Sequence, residues 1–277
     1  MGNKLSVIAL LTDFGLEGGF VGVMKGVIYS INPEAKIVDI THDLTPHDIE
    51  EGAFYILTSY KYFPENTIFV VVVDPGVGSR RRIILTKSPK YCFIAPDNGI
   101  LSWVLREEKA EKVLQVTQDK YFLKPISSTF HGRDIFAPVA GYLSKGIPIS
   151  EFGDEIEDPV SISFPEPKVR KEKIEGRVLL IDRFGNAITN LSLKRFPFLK
   201  DSCFRLRMKT VEVTRVLEHY LQGRGEDPFL IAGSSGFWEI SVSRKSFAKK
   251  YHIKRGDEFT LSLSLKPSHN LKLNDLG

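Results

Sequence analysis

Residues 68–79, with the sequence IFVVVVDPGVGS, are an unbroken apolar run that ends at Asp74 and passes into a glycine-rich turn. Continuous hydrophobic strands of this kind are typical of a parallel sheet whose two faces are both covered by helices. The stretch therefore predicts a core strand of an α/β domain, with a carboxylate placed where the strand ends.

Similar apolar runs recur through the first hundred residues. Together with the first, they are residues 7–12, 37–40, 68–73 and 92–95. Helices are predicted over residues 20–31 and 47–62, and each is followed by a residue-proline pair that ends it. Strands that alternate with helices predict an α/β layer architecture with a mostly parallel sheet.

Polar residues follow each of these strands. They are Asp13, Thr41-His42-Asp43, Asp74 and Asp97-Asn98. Any one of them is ordinary turn chemistry. Because ligands of open α/β sheets bind at the carboxyl ends of the strands, four polar strand ends together indicate a site along one edge of the sheet.

The second half of the chain has a different pattern. A proline-containing, charged segment without helical periodicity predicts a linker over residues 161–173, between an α/β domain at 1–160 and a second domain at 174–277. The second domain contains short apolar runs separated by turn residues: 176–181, 204–208, 229–232, 238–242 and 259–263. This spacing predicts a smaller all-β, barrel-like domain.

Composition narrows the class of protein. The 277 residues include 38 basic and 34 acidic side chains, and the resulting charge of +4 is too small for a dedicated nucleic-acid binder. No apolar run approaches the roughly 20 residues of a membrane-spanning helix. The distant Cys92 and Cys203 fit buried free thiols in a reducing compartment. We therefore expect a cytoplasmic protein with no nucleic-acid or membrane partner.

Two segments carry candidate chemistry. The turn after Asp74 is similar to a phosphate loop, but it lacks the third glycine and the lysine-serine pair, so a tight turn is favoured. His131, within residues 129–134, is better placed for a pocket than His219 or His252, which have charged neighbours. No cysteine or second histidine lies at zinc-site spacing from His131, so no metal site is expected.

Short motifs along the chain occur in a family order. They are Thr12-Asp13-Phe14-Gly15, Met24-Lys25-Gly26, the stretch from Ile31-Asn32-Pro33 through Ile40-Thr41-His42, Asp74-Pro75-Gly76-Val77-Gly78, Pro96-Asp97-Asn98-Gly99, Phe130-His131-Gly132-Arg133-Asp134, Asp182-Arg183-Phe184-Gly185-Asn186 and Ser234-Ser235-Gly236. In this order the chain resembles the S-adenosylmethionine (SAM) hydroxide adenosyltransferases, relatives of fluorinase and chlorinase. The resemblance covers nearly the whole chain.

The resemblance implies an N-terminal α/β domain, a C-terminal β-barrel and a homotrimer whose sites lie between subunits. It also implies hydrolysis of SAM at the ribose C5′ carbon, which gives adenosine and methionine, with SAM as substrate and no other cofactor. Asp74, Arg81 and His131 are implied around the attacking water. Arg81 is chosen because it lies seven residues after the aspartate, and Arg80 and Arg82 are register alternatives.

Substrate contacts are implied on both domains. Asp13 is expected to hold the ribose hydroxyls, Asp182 the methionine ammonium and Asn186 the adenine edge. Ser234 and Ser235 are expected to meet the methionine carboxylate. Which of Asp74 and His131 takes the proton of the water is left open.

Departures from the halogenating relatives bear on the reaction. Asp74 replaces a tyrosine and Gly132 replaces a halide-contacting serine, which disfavours the alternative of a halide-using adenosyltransferase. An acid of the fluorinase is replaced by Gly18, and Glu17 would substitute for it only if the loop shifts.

A non-catalytic protein that binds SAM or adenosine as a sensor is a second alternative that the sequence leaves open. A methyltransferase is disfavoured because no glycine-rich loop follows the first strand.

Overall fold

The computed structural model describes residues 7–110, 112–171 and 173–263. The chain divides between Ser163 and Phe164 into two compact units. Each unit contains one sheet within the described residues.

The N-terminal unit is built from strands and helices in alternation. Its elements are β1 (Val7–Thr12), α1 (Phe20–Ile31), β2 (Lys36–Thr41), α2 (Ile49–Ser59), β3 (Ile68–Val72), β4 (Ile83–Lys87), β5 (Cys92–Pro96), α3 (Ser102–Glu108), β6 (Lys112–Val116), α4 (Ala137–Ser144) and β7 (Gly153–Glu155). The order of strands in the sheet is β2-β1-β3-β5-β4-β6-β7. The predicted strands and both predicted helices are confirmed here.

This sheet is mixed, which corrects the expectation of a mostly parallel one. β2, β1, β3 and β5 are parallel neighbours, but the three pairings from β5 through β4 and β6 to β7 are antiparallel. Only four residues, 88–91, connect β4 to β5. So short a connection makes a hairpin, because a parallel pair needs a crossover of a dozen or more residues.

Both faces of the central strands β1, β3 and β5 are buried. Leu10 and Val70 pack into one cluster with residues of α1 and α4, and Leu11 and Val71 pack into a second cluster with residues of α2 and α3. Because neither face of these strands meets solvent, polar side chains are confined to the strand ends.

The C-terminal unit is nearly all β. Its elements are β8 (Lys168–Arg170), β9 (Lys173–Ile181), β10 (Ala187–Ser192), β11 (Phe204–Met208), β12 (Val211–Val213), β13 (Val216–Leu217), β14 (Phe229–Ala232), β15 (Phe237–Ser241), α5 (Phe247–Tyr251) and β16 (Glu258–Leu263). The order is β12-β11-β16-β9-β10-β15-β14-β13, with β8 also on β9. The pairings are antiparallel except between β13 and β14.

The long strand β9 joins the two halves of this sheet. Its first part, Lys173 to Arg177, pairs with β16, and its last part pairs with β10. The second unit is mainly β, with the short helix α5, whereas closure into a complete barrel stays a prediction.

Two further expectations change in detail. The segment predicted as a linker contains β8, which pairs with β9. Cys203 is exposed rather than buried, because it lies in the connection that leads into β11, while Cys92 is half-buried at the start of β5. None of the helices among the described residues has the length and apolar character needed to cross a membrane.

Candidate active site

The carboxyl ends of the four parallel strands meet at one edge of the N-terminal sheet. Thr12 of β1 lies opposite Val72 of β3, so Asp13 and the residue before Asp74 continue from paired positions. Asn98 donates from Nδ2 to the carbonyl of Val73 at 2.8 Å, which ties the end of β5 to the end of β3. The predicted polar edge is thus present.

Asp74, Arg81 and His131 lie in contact at this edge. Arg81 Nε lies 3.0 and 2.9 Å from the two carboxylate oxygens of Asp74, and Arg81 Nη2 also donates to Asp74 Oδ2. The same Nη2 lies 2.8 Å from His131 Nδ1. The side chains of Asp74 and Arg81 are only 5% and 11% exposed. The structure therefore brings together the three residues that the family resemblance implied.

Local turn geometry explains how the chain presents this cluster. The amide of Val77 donates to the carbonyl of Asp74, as expected for a tight turn rather than a phosphate loop. Gly78 has φ +77°, and a Cβ there would lie 2.1 Å from the carbonyl oxygen of Ser128. Only glycine fits this left-handed position, which lets the turn approach the segment that leads to His131.

The neighbouring arginines point elsewhere. Arg82 Nε lies 2.7 Å from Asp97 Oδ2, and Arg82 Nη1 lies 2.7 Å from Asp158 Oδ1. Arg80 is exposed. Of the three arginines, Arg81 is the one that contacts Asp74. Asp97, which follows β5, accepts from Arg82 and from the backbone amide of Val160.

The hydrogen bonds of Arg81 fix the proton on His131. A guanidinium has only donors, so His131 Nδ1 must accept from Arg81 and the proton of the neutral ring lies on Nε2. Burial lowers the pKa of His131, and the positive charge of Arg81 lowers it further, against partial opposition from Asp74, Asp134 and a hydrogen bond with the backbone of Ser127. His131 is therefore neutral at neutral pH, and its one lone pair is already used.

Asp13 lies at the same edge. Its side chain is 7% exposed. Its Oδ2 accepts from the backbone amide of His47 at 2.8 Å. No protein donor reaches Oδ1 among the described residues, so this oxygen is available to a ligand.

The C-terminal unit has a separate open cavity of about 630 Å³. It is lined by Asp182, Phe184, Asn186, Tyr220, Ser234, Glu239, Val242, Arg244, Lys245 and Ser246. Asn186 donates to both carboxylate oxygens of Asp182, from its backbone amide and from Nδ2, at 2.8 Å each. Ser235 lies outside this lining, and its buried Oγ has no partner in the described structure.

Phe184, Tyr220 and Glu239 are among the lining residues for which the sequence predicted no role. Phe184 is 78% exposed, and an aromatic ring inside a polar turn is the signal that could have found it. Tyr220 donates from its hydroxyl to Glu239 Oε2 at 3.1 Å. Burial raises the pKa of Glu239 above its ordinary value and raises the pKa of Tyr220 to about 12. No sequence pattern marked this pair.

Family comparison adds to the geometry. Residues 8–153 match the SAM hydroxide adenosyltransferase N-terminal domain, and residues 176–260 match the corresponding C-terminal domain. The chain belongs to the SAM hydroxide adenosyltransferase family. Proteins named (R)-S-adenosyl-L-methionine hydrolase from Methanocaldococcus jannaschii and Thermus thermophilus are each 34% identical to it, over 93% and 90% of this chain and 96% of each relative.

The chain is also similar to a halogenating enzyme and to a solved structure. A fluorinase from an Actinoplanes species is 27% identical over 94% of this chain and 98% of its own. An uncharacterized conserved protein from Thermotoga maritima is similar in structure, with a TM-score of 0.86 and 36% identity over 92% of this chain and 99% of that one.

Packing explains one departure from the halogenating members of the adenosyltransferase family. A Cβ at Gly132 would lie 2.9 Å from the ring of Phe130 and 3.1 Å from both Met24 Sδ and the ring of Phe14. A serine here would displace these neighbours. Glu17 is exposed, and no hydrogen bond joins it to Asp13 or its turn within the described residues, so nothing observed replaces the acid missing at Gly18.

Proposed function

We propose that this protein hydrolyses S-adenosyl-L-methionine at the ribose C5′ carbon, giving adenosine and L-methionine. The buried Asp74–Arg81–His131 cluster, in a chain of the hydroxide adenosyltransferase family, is the observation that carries the proposal. Several relatives are named hydrolases of the (R) sulfonium epimer, so an assay should supply both epimers.

The reaction needs a nucleophile more than an acid. The oxygen of water attacks C5′, the C5′–sulfur bond breaks, and its electron pair returns to sulfur. Methionine therefore leaves as a neutral thioether without accepting a proton, and one proton is lost by the water. No additional cofactor is required by this chemistry. What the site must provide is a desolvated, hydroxide-like oxygen in line with the breaking bond.

We assign Asp74 as the group that orients the water and takes its proton. Each carboxylate oxygen accepts more than one hydrogen bond, so Asp74 keeps free acceptor capacity while it holds Arg81. Arg81 stabilises the developing negative charge on the water oxygen. His131 has no lone pair to spare while Nδ1 accepts from Arg81, so its role in this proposal is to hold Arg81 in place.

The substrate is held from both units in this proposal. Asp13 receives the ribose hydroxyls, and Asp182 pairs with the methionine ammonium. Nδ2 of Asn186 is used by Asp182, so the amide oxygen is the group that accepts from the adenine amino group. The exposed ring of Phe184 stacks on the purine. Ser234, with Ser235 beside it, meets the methionine carboxylate.

A homotrimer with sites shared between subunits completes this proposal. It is supported by exposed apolar side chains close in sequence to Asp13: Leu16 is 74% exposed, Phe20 46% and Val23 45%. Apolar clusters of this kind mark surfaces that a partner covers. We propose the trimer as a cytoplasmic assembly with no nucleic-acid or membrane partner.

Product analysis separates this function from its alternatives. Chromatography of SAM incubated with the protein should show adenosine and methionine rising in equal amounts. S-adenosylhomocysteine would instead indicate methyl transfer, and a 5′-halogenated nucleoside would indicate a halide nucleophile. Saturable binding of SAM without any product would indicate a non-catalytic sensor.

Replacing Asp13 by alanine should weaken adenosine binding, because the ribose hydroxyls lose their acceptor at a cost of about 1 to 3 kcal/mol per unpaired group. Isothermal calorimetry measures this directly. Asp43→Ala is the matched control, since Asp43 is an exposed carboxylate at the end of β2. Equal adenosine affinity in Asp13→Ala and Asp43→Ala would remove Asp13 from the site.

The lowered pKa of His131 predicts the acid side of the pH profile. Protonation of Nδ1 would break its hydrogen bond from Arg81, so kcat should fall as the pH drops through the pKa of His131. That fall should begin below the ordinary histidine value, because burial and Arg81 lower this pKa. His131→Asn keeps an acceptor for Arg81 and cannot titrate, so this limb should move or vanish. An identical acid limb in both proteins would contradict the assignment.

A further inference from the structure

A chain of polar side chains lies behind the turn that carries Asp13. Thr12 Oγ1 is 2.8 Å from His42 Nδ1. His42 Nε2 is 3.0 Å from Asp39 Oδ1, although it is not aligned as a hydrogen bond. Lys25 Nζ donates to Asp39 Oδ2 at 2.6 Å. Thr12 and His42 are 0% and 4% exposed, so neither is a surface group.

The direction of each bond follows from its neighbours. The carboxylate oxygen of Asp39 that faces His42 Nε2 can only accept, which favours the tautomer with its proton on Nε2. In that tautomer His42 Nδ1 accepts from the hydroxyl of Thr12, whose Oγ1 also accepts from the amide of Phe14 at 3.2 Å. Burial raises the pKa of Asp39, but the contacts from Lys25 and His42 outweigh burial and hold this pKa below its ordinary value. Asp39 is therefore an anion that favours this arrangement.

His42 holds the Asp13 turn at two points. Its ring accepts from Thr12, the residue before Asp13, and its carbonyl accepts from the amide of Gly15 at 2.8 Å. These two contacts lie on either side of Asp13 along the chain. Small displacements of the Asp13 carboxylate matter, because a shift of about 1 Å can cost on the order of 10²-fold in rate.

We propose that His42 is a positioning residue that sets the Asp13 carboxylate for the two ribose hydroxyls. This inference rests on the proposed function, because it assumes that Asp13 binds the ribose. His42 itself does not touch the substrate. Its contribution passes through Thr12, and it should therefore be visible only with ligands that carry the hydroxyls.

The test compares two ligands and two substitutions by calorimetry on the full chain. The ligands are adenosine and 2′,3′-dideoxyadenosine. His42→Asn keeps an acceptor near the position of Nδ1, whereas His42→Gln keeps a group near Nε2 and loses the acceptor for Thr12. We expect the preference for adenosine over the dideoxy compound to survive in His42→Asn. In His42→Gln it should fall by about tenfold, as expected for the loss of a buried hydrogen bond.

A second pair of variants tests the Thr12–His42 hydrogen bond by changing Thr12 instead of His42. Thr12→Val removes the hydroxyl, and Thr12→Ser keeps it. Thr12→Val should lower the preference for adenosine as His42→Gln does, and Thr12→Ser should preserve it. This pair gives an answer even if His42→Gln does not fold, which thermal denaturation would reveal.

The outcomes separate the inference from the function on which it rests. If His42→Gln and Thr12→Val lose affinity for adenosine and for 2′,3′-dideoxyadenosine equally, the Thr12–His42 bond has a general structural role and the proposal is overturned. An unchanged preference in those variants would also overturn it. Asp13→Ala serves as the reference: if it too leaves the preference unchanged, the ribose assignment of Asp13 fails. If only Asp13→Ala lowers the preference, that assignment stands and the role of His42 fails alone.

Discussion

Asp74→Asn should lower kcat for SAM hydrolysis by about 10²- to 10⁴-fold, the range that general acid–base catalysis contributes. Asparagine has nearly the shape of aspartate and still offers an oxygen to Arg81, but it is a far weaker proton acceptor. The substrate contacts of Asp13 and Asn186 are unaffected, so adenosine affinity should change little. Steady-state kinetics and calorimetry on the same preparation measure the two effects.

Arg81 gives a second test of the same cluster, and its neighbour Arg80 supplies the control. Arg80 is exposed, whereas Arg81 contacts both Asp74 and His131. Arg81→Lys should therefore reduce kcat, because lysine cannot bridge two partners with a planar fork. Arg80→Lys should have the activity of the unmodified protein. Full activity in Asp74→Asn would remove the carboxylate from the chemical step.

Mixing two inactive variants should restore activity if sites are shared between subunits. Asp74→Ala inactivates the half of a site that the N-terminal unit contributes, and Asp182→Ala inactivates the half that the C-terminal unit contributes. After subunit exchange in equal amounts, about one quarter of the interfaces of a cyclic trimer should combine two intact halves. Activity should rise toward that fraction, as followed by adenosine release.

The matched mixture combines Asp74→Ala with Asp13→Ala. Both changes lie in the same unit, so every site in a mixed trimer has a defective N-terminal half and no recovery is expected. Light scattering before and after exchange gives the assembly state. A fully active monomer, or a mixture of Asp74→Ala and Asp182→Ala that never recovers, would contradict the shared site.

Much of the N-terminal unit could be predicted from the sequence, because its strands are buried on both faces. A run such as residues 68–73 has no polar position, and its carboxyl end is the first place where a side chain like that of Asp74 avoids the core. β4 was missed, because a run of five residues after three arginines gives little periodicity. Its hairpin with β5 made the sheet mixed.

The sequence predicted which residues form the site better than it predicted the contacts between those residues. The spacing of the family motif selected Arg81 from three adjacent arginines, but these arginines differ in their three-dimensional contacts, which the spacing does not show. Arg82 is held by Asp97 and by Asp158, which is 76 residues away in the chain. The tautomer of His131 likewise depends on a contact across 50 residues. Such contacts leave no local pattern in a single sequence.

Isotope labelling shows whether the oxygen placed on the C5′ carbon comes from water. SAM containing both sulfonium epimers is incubated with the protein in water enriched in oxygen-18, and the products are weighed by mass spectrometry. We predict adenosine that carries one oxygen-18 atom and methionine that carries none. Unlabelled adenosine would show that the oxygen placed on C5′ does not come from water. Methylthioadenosine, with the label in the amino-acid fragment, would show that the reaction takes place at another carbon, and either result would contradict attack of water on C5′.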